Sequence, residues 1–298
     1  MMRMTVLASG SKGNSTVIAT RRTRILVDAG LSCREILKRM QIAGEDPCTL
    51  DAILITHEHQ DHVQGVSVLA RKLGIPVYFT EMTHRAWVRW LHPQKRMTYA
   101  DWLRRRQQES NGVPEEPAAK QEDCESRCDP AAIPSVAFFE AGKRFAVGDI
   151  DVEPFTIPHD AADPVGFVFE GEGVRIGFAT DLGYIPANAR QALRGCDVLL
   201  LESNHDTEML RDGPYPWSVK QRVMSRVGHL SNEAAAEFLE RNYDGQAAYV
   251  VLAHLSESNN LPALARVSAE RALRDRMSLL ANKLLLASQE EPLSAIAL

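Results

Sequence analysis

The chain has 298 residues, 45% of them apolar, enough to bury a sizeable core as one large domain or two small ones. Its formal net charge of -5 excludes a surface coated in basic residues for nucleic acid, but leaves room for an enzyme that grips an anion locally. No apolar run is long enough to span a bilayer, residues 1–9 lack the regions of a secretory signal, and five cysteines are scattered along the chain, so a reduced, cytoplasmic setting is expected.

Thr5–Ala8 and Ser15–Ile18 read as short strands around the turn Ser9–Asn14. That turn either presents backbone N–H groups and Lys12 to a phosphate or simply closes a hairpin. Arg24–Val27 is the next strand, ended by Asp28 ahead of Gly30. Asp28 has two readings: it supports a ligand imidazole from behind, or it caps the helix that begins near Ser32.

Ala52–Ile55 reads as a buried strand, and it runs directly into Thr56-His57-Glu58-His59-Gln60-Asp61-His62. Three imidazoles and two carboxylates within six residues form a metal-ligand cluster suited to zinc, manganese or iron; the bland alternative is a solvated loop rich in histidine. On an extended segment residues two apart share a face, so His57 and His59 grip one ion while Glu58 points elsewhere. Asp61 and His62 lie past a turn, where they face a second ion, and Val63–Leu73 carries helical periodicity. After the strand Val77–Thr80, His84 and His92 sit in a helical stretch with Trp87 and Trp90 and read as packing or surface residues. From about 93 to 135 the chain turns polar and loses periodicity, which marks an insertion or flexible lid within one domain spanning 1–298. Arg104–Arg106 within it reads as a solvated face rather than a nucleic-acid contact, and Cys124 and Cys128 as ordinary thiols rather than half of a metal site.

Strand patterning resumes at Phe145–Val147, Ile150–Val152 and Phe155–Ile157, and His159 follows at the end of this run. Its strand-to-loop placement matches that of the main cluster, which makes it the third ligand for the first ion. Val165–Glu170 and Val174–Ala179 form a hairpin, closed by Asp181 before Gly183; this carboxylate suits a bridge between two cations, or a turn. Glu202, Asn204, His205 and Asp206 emerge from the buried strand Asp197–Leu201, and Glu202 and His205 are candidates to support metal ligands from behind. A helix over Trp217–Val227 leads to His229, just ahead of a helix N-terminus at Ser231–Ala234. The last core strand, Ala248–Ala253, ends in His254, which completes the second ion's set with Asp61, His62 and Asp181. A helix over Leu261–Arg274 and an edge strand over Lys283–Leu286 close the chain.

His57-x-His59-x-Asp61-His62 resembles the hallmark of the metallo-β-lactamase fold. The stretches Leu7–Asn14, Val27–Ser32, Pro158–Ala162, Glu202–Asp206, Gly228–Glu233 and His254–Ser256 are similar to its YycJ/WalJ branch. The resemblance implies an α/β protein built as an αββα sandwich, with a metal cleft along the shared edge of two sheets. It also implies two divalent cations, zinc or manganese with iron as a further option, and 5′-to-3′ exonuclease activity on DNA, RNA being a second possible substrate. His229 resembles the histidine that RNase Z relatives place near the leaving oxygen, which implies a proton donor or a phosphate contact. The same centre would hydrolyse a small ester, thioester or lactam, so the fold alone does not choose the substrate. A non-catalytic nucleic-acid-binding module is the third reading, and the filled ligand positions speak against it.

Overall fold

The computed structural model describes residues 1–92, 129–273 and 283–298, together with Leu103 and Arg106. Alternation along the strands builds the layers. Ile25 and Val27 point into a core shared by two sheets, while Leu26 between them faces an outer layer of helices. The same switch divides Leu199 and Leu201 from Leu200 on the other sheet.

The first sheet takes β1 (Arg3–Ala8), β2 (Ser15–Ala19), β3 (Arg24–Val27), β4 (Ala52–Leu54), β5 (Val77–Phe79), β6 (Val136–Phe138) and the C-terminal β14 (Ile296–Ala297), in the order β14-β1-β2-β3-β4-β5-β6. The second takes β7 (Phe145–Val147), β8 (Ile150–Thr156), β9 (Val165–Gly171), β10 (Val174–Ala179), β11 (Val198–Glu202), β12 (Tyr249–Ala253) and β13 (Lys283–Leu286), in the order β13-β12-β11-β10-β9-β8-β7. Helices α1 (Cys33–Ile42), α2 (Gln60–Val63), α3 (Val66–Leu73) and α4 (Glu81–Leu91) follow strands of the first sheet, and Ile36, Met40, Leu69 and Trp87 pack on its outer face. Helices α5 (Ala187–Ala192), α6 (Thr207–Asp212), α7 (Trp217–Val223), α8 (Asn232–Arg241) and α9 (Pro262–Leu273) belong to the second half, where Ala189, Phe238, Leu239 and Ala269 cover the second sheet. The architecture is the αββα sandwich. β3 to β6 run parallel, as do β10 to β13, so their C-terminal ends and the loops that follow gather at one edge.

Several bounds differ from the sequence reading. The helix expected over Val63–Leu73 is split into α2 and α3 at Gly65, whose N–H donates to Ala29. A Cβ on Gly65 would stand 2.2 Å from the Leu31 carbonyl oxygen, so only glycine allows the close approach at this break. Ile150–Thr156 is one continuous strand, with Pro154 lying beyond the stretch that β7 pairs. α7 stops at Val223, and Ile296–Ala297 adds a short strand that periodicity did not reveal. Of the polar stretch 93–135, residues 93–128 other than Leu103 and Arg106 fall outside the described residues, Arg104, Arg105, Cys124 and Cys128 among them. Among the described residues no helix is long and apolar enough to cross a membrane.

Candidate metal centre

The gathered edge brings together loops that are far apart in the chain. His57, His59, Asp61 and His62 come from the segment after β4, His159 from the loop after β8, Asp181 from the end of β10 and His254 from the end of β12. In one cluster the ligand-type atoms of His57, His59 and His159 lie within 4.8 Å of one another; those of His57, His62 and Asp181 do so in a second. A third joins Asp181 and His254 to Glu202 and His229, again within 4.8 Å of one another. Asp61 closes the ring, its Oδ2 lying 3.5 Å from His62 Nε2 and 3.7 Å from His254 Nε2.

His57, His62 and His159 are held from behind. Asp28, at the end of β3, takes His62 Nδ1 at 2.8 Å and Thr56 Oγ1 at 2.9 Å, and Thr56 Oγ1 lies 3.0 Å from His57 Nδ1. His159 Nδ1 lies 3.1 Å from the Gly228 carbonyl oxygen. The opposite nitrogens are left to face inward: His57 Nε2 and His159 Nε2 approach His59 Nδ1 at 3.1 and 3.2 Å. Such backing fixes the tautomer that offers a lone pair to a cation.

The loop Ser9–Asn14 serves as a brace for this arrangement. Asn14 N–H donates to the Asp61 carbonyl at 2.8 Å, its amide reaches Asp61 Oδ2 at 3.3 Å, and Ser9 Oγ accepts from His254 N–H at 2.8 Å. Lys12 turns aside to Glu257 at 2.7 Å. Gly30 completes the fit, because a Cβ there would stand 1.7 Å from the Asp61 carbonyl oxygen. Asp28, Asp181 and His254 all take left-handed backbone conformations, φ 59°, 60° and 55°. Turning left at a strand's end costs non-glycine residues energy, and such strain persists where the surroundings over-determine it.

Glu202 is fully buried, and its four acceptor directions are used. Oε1 receives His229 Nδ1 at 2.8 Å and His254 Nδ1 at 3.1 Å, and Oε2 accepts from the N–H groups of Leu182 and Leu230 at 2.9 and 3.1 Å. It orients two histidines and two loops at once. His229 remains 20% exposed at the side chain, its Nε2 left for the cavity. His205 is buried but lies outside the three clusters; it forms a parallel bridge with Ser231, and its Nδ1 has no hydrogen-bond partner.

Burial and charge pull the titrating groups in opposite directions. Burial disfavours the carboxylate of Asp181, yet His254 and His62 outweigh it and hold the group well below the usual range. Burial likewise opposes ionisation of Glu202, but His229 and His254 bring its pKa down to about 2. His254 is desolvated, and Asp181 and Glu202 still raise its pKa to about 10; His62 is raised well above its ordinary value against the same penalty, by Asp181, Asp28 and Asp61. His57 and His159 go the other way, lowered by burial. Protons on His62 and His254 thus balance the carboxylates where a cation would, while His57 and His159 stay neutral, the form that binds metal. Asp181 Oδ2 is buried without a hydrogen-bond partner, a further sign that this donor set fits a cation.

A cavity of about 320 Å³ opens onto the centre, with Asp61, Asp181, His229 and His254 in its walls. A larger one of about 630 Å³ lies beside the edge strands β6 and β7, but its Lys143 and Arg144 are neutralised by Glu140, Glu153 and Glu170.

Residues 23–255 match the Beta-lactamase superfamily domain. The chain belongs to this family. Within it, the exodeoxyribonuclease WalJ of Streptococcus pneumoniae serotype 2 is 36% identical over 266 residues, 89% of this chain and 86% of its own. The exodeoxyribonuclease YycJ of Bacillus anthracis is 34% identical over 275 residues, 92% of this chain and 90% of its own. The match places the chain in the WalJ/YycJ branch. Among solved structures, the metallo-β-lactamase fold protein YhfI of Bacillus subtilis superposes with a TM-score of 0.63 at 15% identity, covering 98% of both chains, a likeness of fold. The histidine and aspartate clusters of this metallo-β-lactamase fold suit divalent metal ions.

Sequence reasoning missed Thr56, Asn14, Ser9 and Glu58 as parts of the centre. Glu58 Oε1 accepts from Ala162 N–H at 2.8 Å and ties the first cluster to the loop that carries His159. Asn14 was legible only as a turn residue, because its partner lies 47 positions away.

Proposed function

We propose that this chain is a metal-dependent phosphodiester hydrolase that digests DNA as a 5′-to-3′ exonuclease in the cytoplasm, the polarity following the family resemblance. The carrying observation is the set of buried imidazoles, each held on one nitrogen and aimed inward with the other, in a chain 36% identical to an exodeoxyribonuclease. His57, His59 and His159 would hold one divalent cation, zinc or manganese, and Asp61, His62 and His254 a second, with Asp181 between them. When bound, the pair supplies Lewis-acid polarisation of the phosphodiester and lowers the pKa of water towards neutrality. Asp28 and Glu202 keep the imidazoles in their inward tautomers, and Asp61 also orients the attacking water through its partly exposed carboxylate. His229, fixed at Nδ1 by Glu202, passes a proton from Nε2 to the departing sugar oxygen.

The test is digestion of end-labelled single- and double-stranded DNA, with RNA alongside, in zinc and in manganese, comparing wild type with Asp61→Ala and His229→Ala. His229→Ala is expected to keep its metal and lose about 10²- to 10⁴-fold in kcat, the range for a general acid. Full activity in that variant removes His229 from the mechanism. Turnover confined to small esters, thioesters or lactams would overturn the nuclease reading.

A further inference from the structure

Arg222 is the only lysine or arginine among the described residues lining the cavity over the metal centre. The protein carries a net charge of -5, so its overall field does not draw in a polyanion and any attraction at this mouth is local. Arg222 stands on α7, in a segment docked onto the site by its backbone. Asp160 N–H donates to the Val227 carbonyl at 3.0 Å, and His229 N–H donates to that of Val223 at 2.9 Å. The segment thus connects the loop of His159 with His229, and it cannot shift without moving both.

The guanidinium is engaged in a way that already resembles anion binding. Nε and Nη2 donate to the two oxygens of Asp160 at 2.5 and 3.1 Å, the paired geometry with which arginine grips a carboxylate or a phosphate. Asp160 Oδ1 in turn lies 3.5 Å from His159 Nε2. One carboxylate therefore separates the guanidinium from the first histidine cluster. The arginine side chain is 60% exposed, so the pair contributes little to stability, and its rim position calls for another account.

We propose that Arg222 is a substrate-positioning residue that binds the backbone phosphate next to the scissile one, with Asp160 holding the guanidinium over the cavity until the strand arrives. The inference rests on the nuclease reading and assigns the contact that favours a polynucleotide over an isolated phosphodiester. The flanking phosphate takes the paired donors that Asp160 holds in the free protein, and the strand's next linkage is drawn over His229 and Asp61.

The experiment compares wild type, Arg222→Ala and Arg222→Lys on a single-stranded DNA tetranucleotide and on a dinucleotide with one phosphodiester, over a range of salt concentration. Arg222→Ala is expected to raise KM for the tetranucleotide about tenfold and to change kcat far less. The slope of log kcat/KM against log salt should become shallower by about 0.7, one single-strand phosphate contact. The dinucleotide, which has no flanking phosphate, should lose less, Arg222→Lys should recover part of the affinity, and metal content and melting temperature should stay at wild-type values. Unchanged KM and salt slope in a variant that still digests DNA overturn the role of Arg222 alone. So does an equal loss on both substrates with lowered metal content, which marks a structural part. Failure of the wild type to cleave either substrate overturns the nuclease reading itself.

Discussion

At the residue scale, the centre depends on side chains that never need to touch a cation. Asp28 is the clearest, since one buried carboxylate holds His62 directly and His57 through the Thr56 hydroxyl. Its pKa is raised by burial, and His62 only partly offsets that cost. Asp28→Asn keeps the shape but weakens the acceptor behind His62, and metal affinity is expected to fall about 10- to 100-fold. Competition with a metal indicator reads this directly, and an unchanged affinity would detach Asp28 from the centre. Glu202 plays the matching part on the second sheet, where its oxygens serve His229 and His254 together. The left-handed backbone of Asp28, Asp181 and His254 has the same origin, because a strand must turn sharply at its end to aim a side chain back over the sheet edge.

At the scale of elements, the parallel strands set the stage, and a few buried polar links keep the first sheet in register with its helices. Glu45, just after α1, is one of them: it accepts from Arg3 Nε and Nη2 at 2.8 and 2.7 Å and from Thr5 Oγ1 at 3.0 Å. The hydrogen bonds from Arg3 lower its pKa against the penalty of burial. A depressed carboxyl stabilises the fold above its unfolded pKa, and that contribution disappears as pH falls through the lower folded value. Glu45→Gln should therefore cost about 1–3 kcal/mol at neutral pH, with the gap to wild type closing below about pH 4. Denaturant titrations at a series of pH values check this, and a gap that persists in acid would assign the loss to packing.

At the scale of the whole molecule, the two sheets share one core, and the metal centre ties their edges together. Ligand-type residues from the first sheet, such as His57 and His62, meet Asp181 and His254 from the second. A cation bound there favours the folded chain alone, contributing about 2.7 kcal/mol when its concentration is a hundred times Kd. For a chain of 298 residues, removing it should lower the melting temperature by about 4 °C. Calorimetry before and after chelation measures this; an unmoved transition would argue against a resident metal.

The layered α/β class, the strands that carry the site and the types of donor at their ends are legible in the sequence. Those signals are local: His57-x-His59-x-Asp61-His62 lies in one turn of chain, and Asp181 and His254 each end an apolar run that reads as a strand without any partner in view. Tertiary structure decided the rest. Thr56 on Asp28, Asn14 on Asp61, Glu202 beneath both His229 and His254, and Arg222 on Asp160 are contacts between segments separated by tens of residues. Local spacing cannot encode them, because which loops meet depends on the order of strands across two sheets. The break at Gly65 has the same cause, since a helical period continues through it and the N–H of Gly65 is drawn to the Ala29 carbonyl, which only folding brings close.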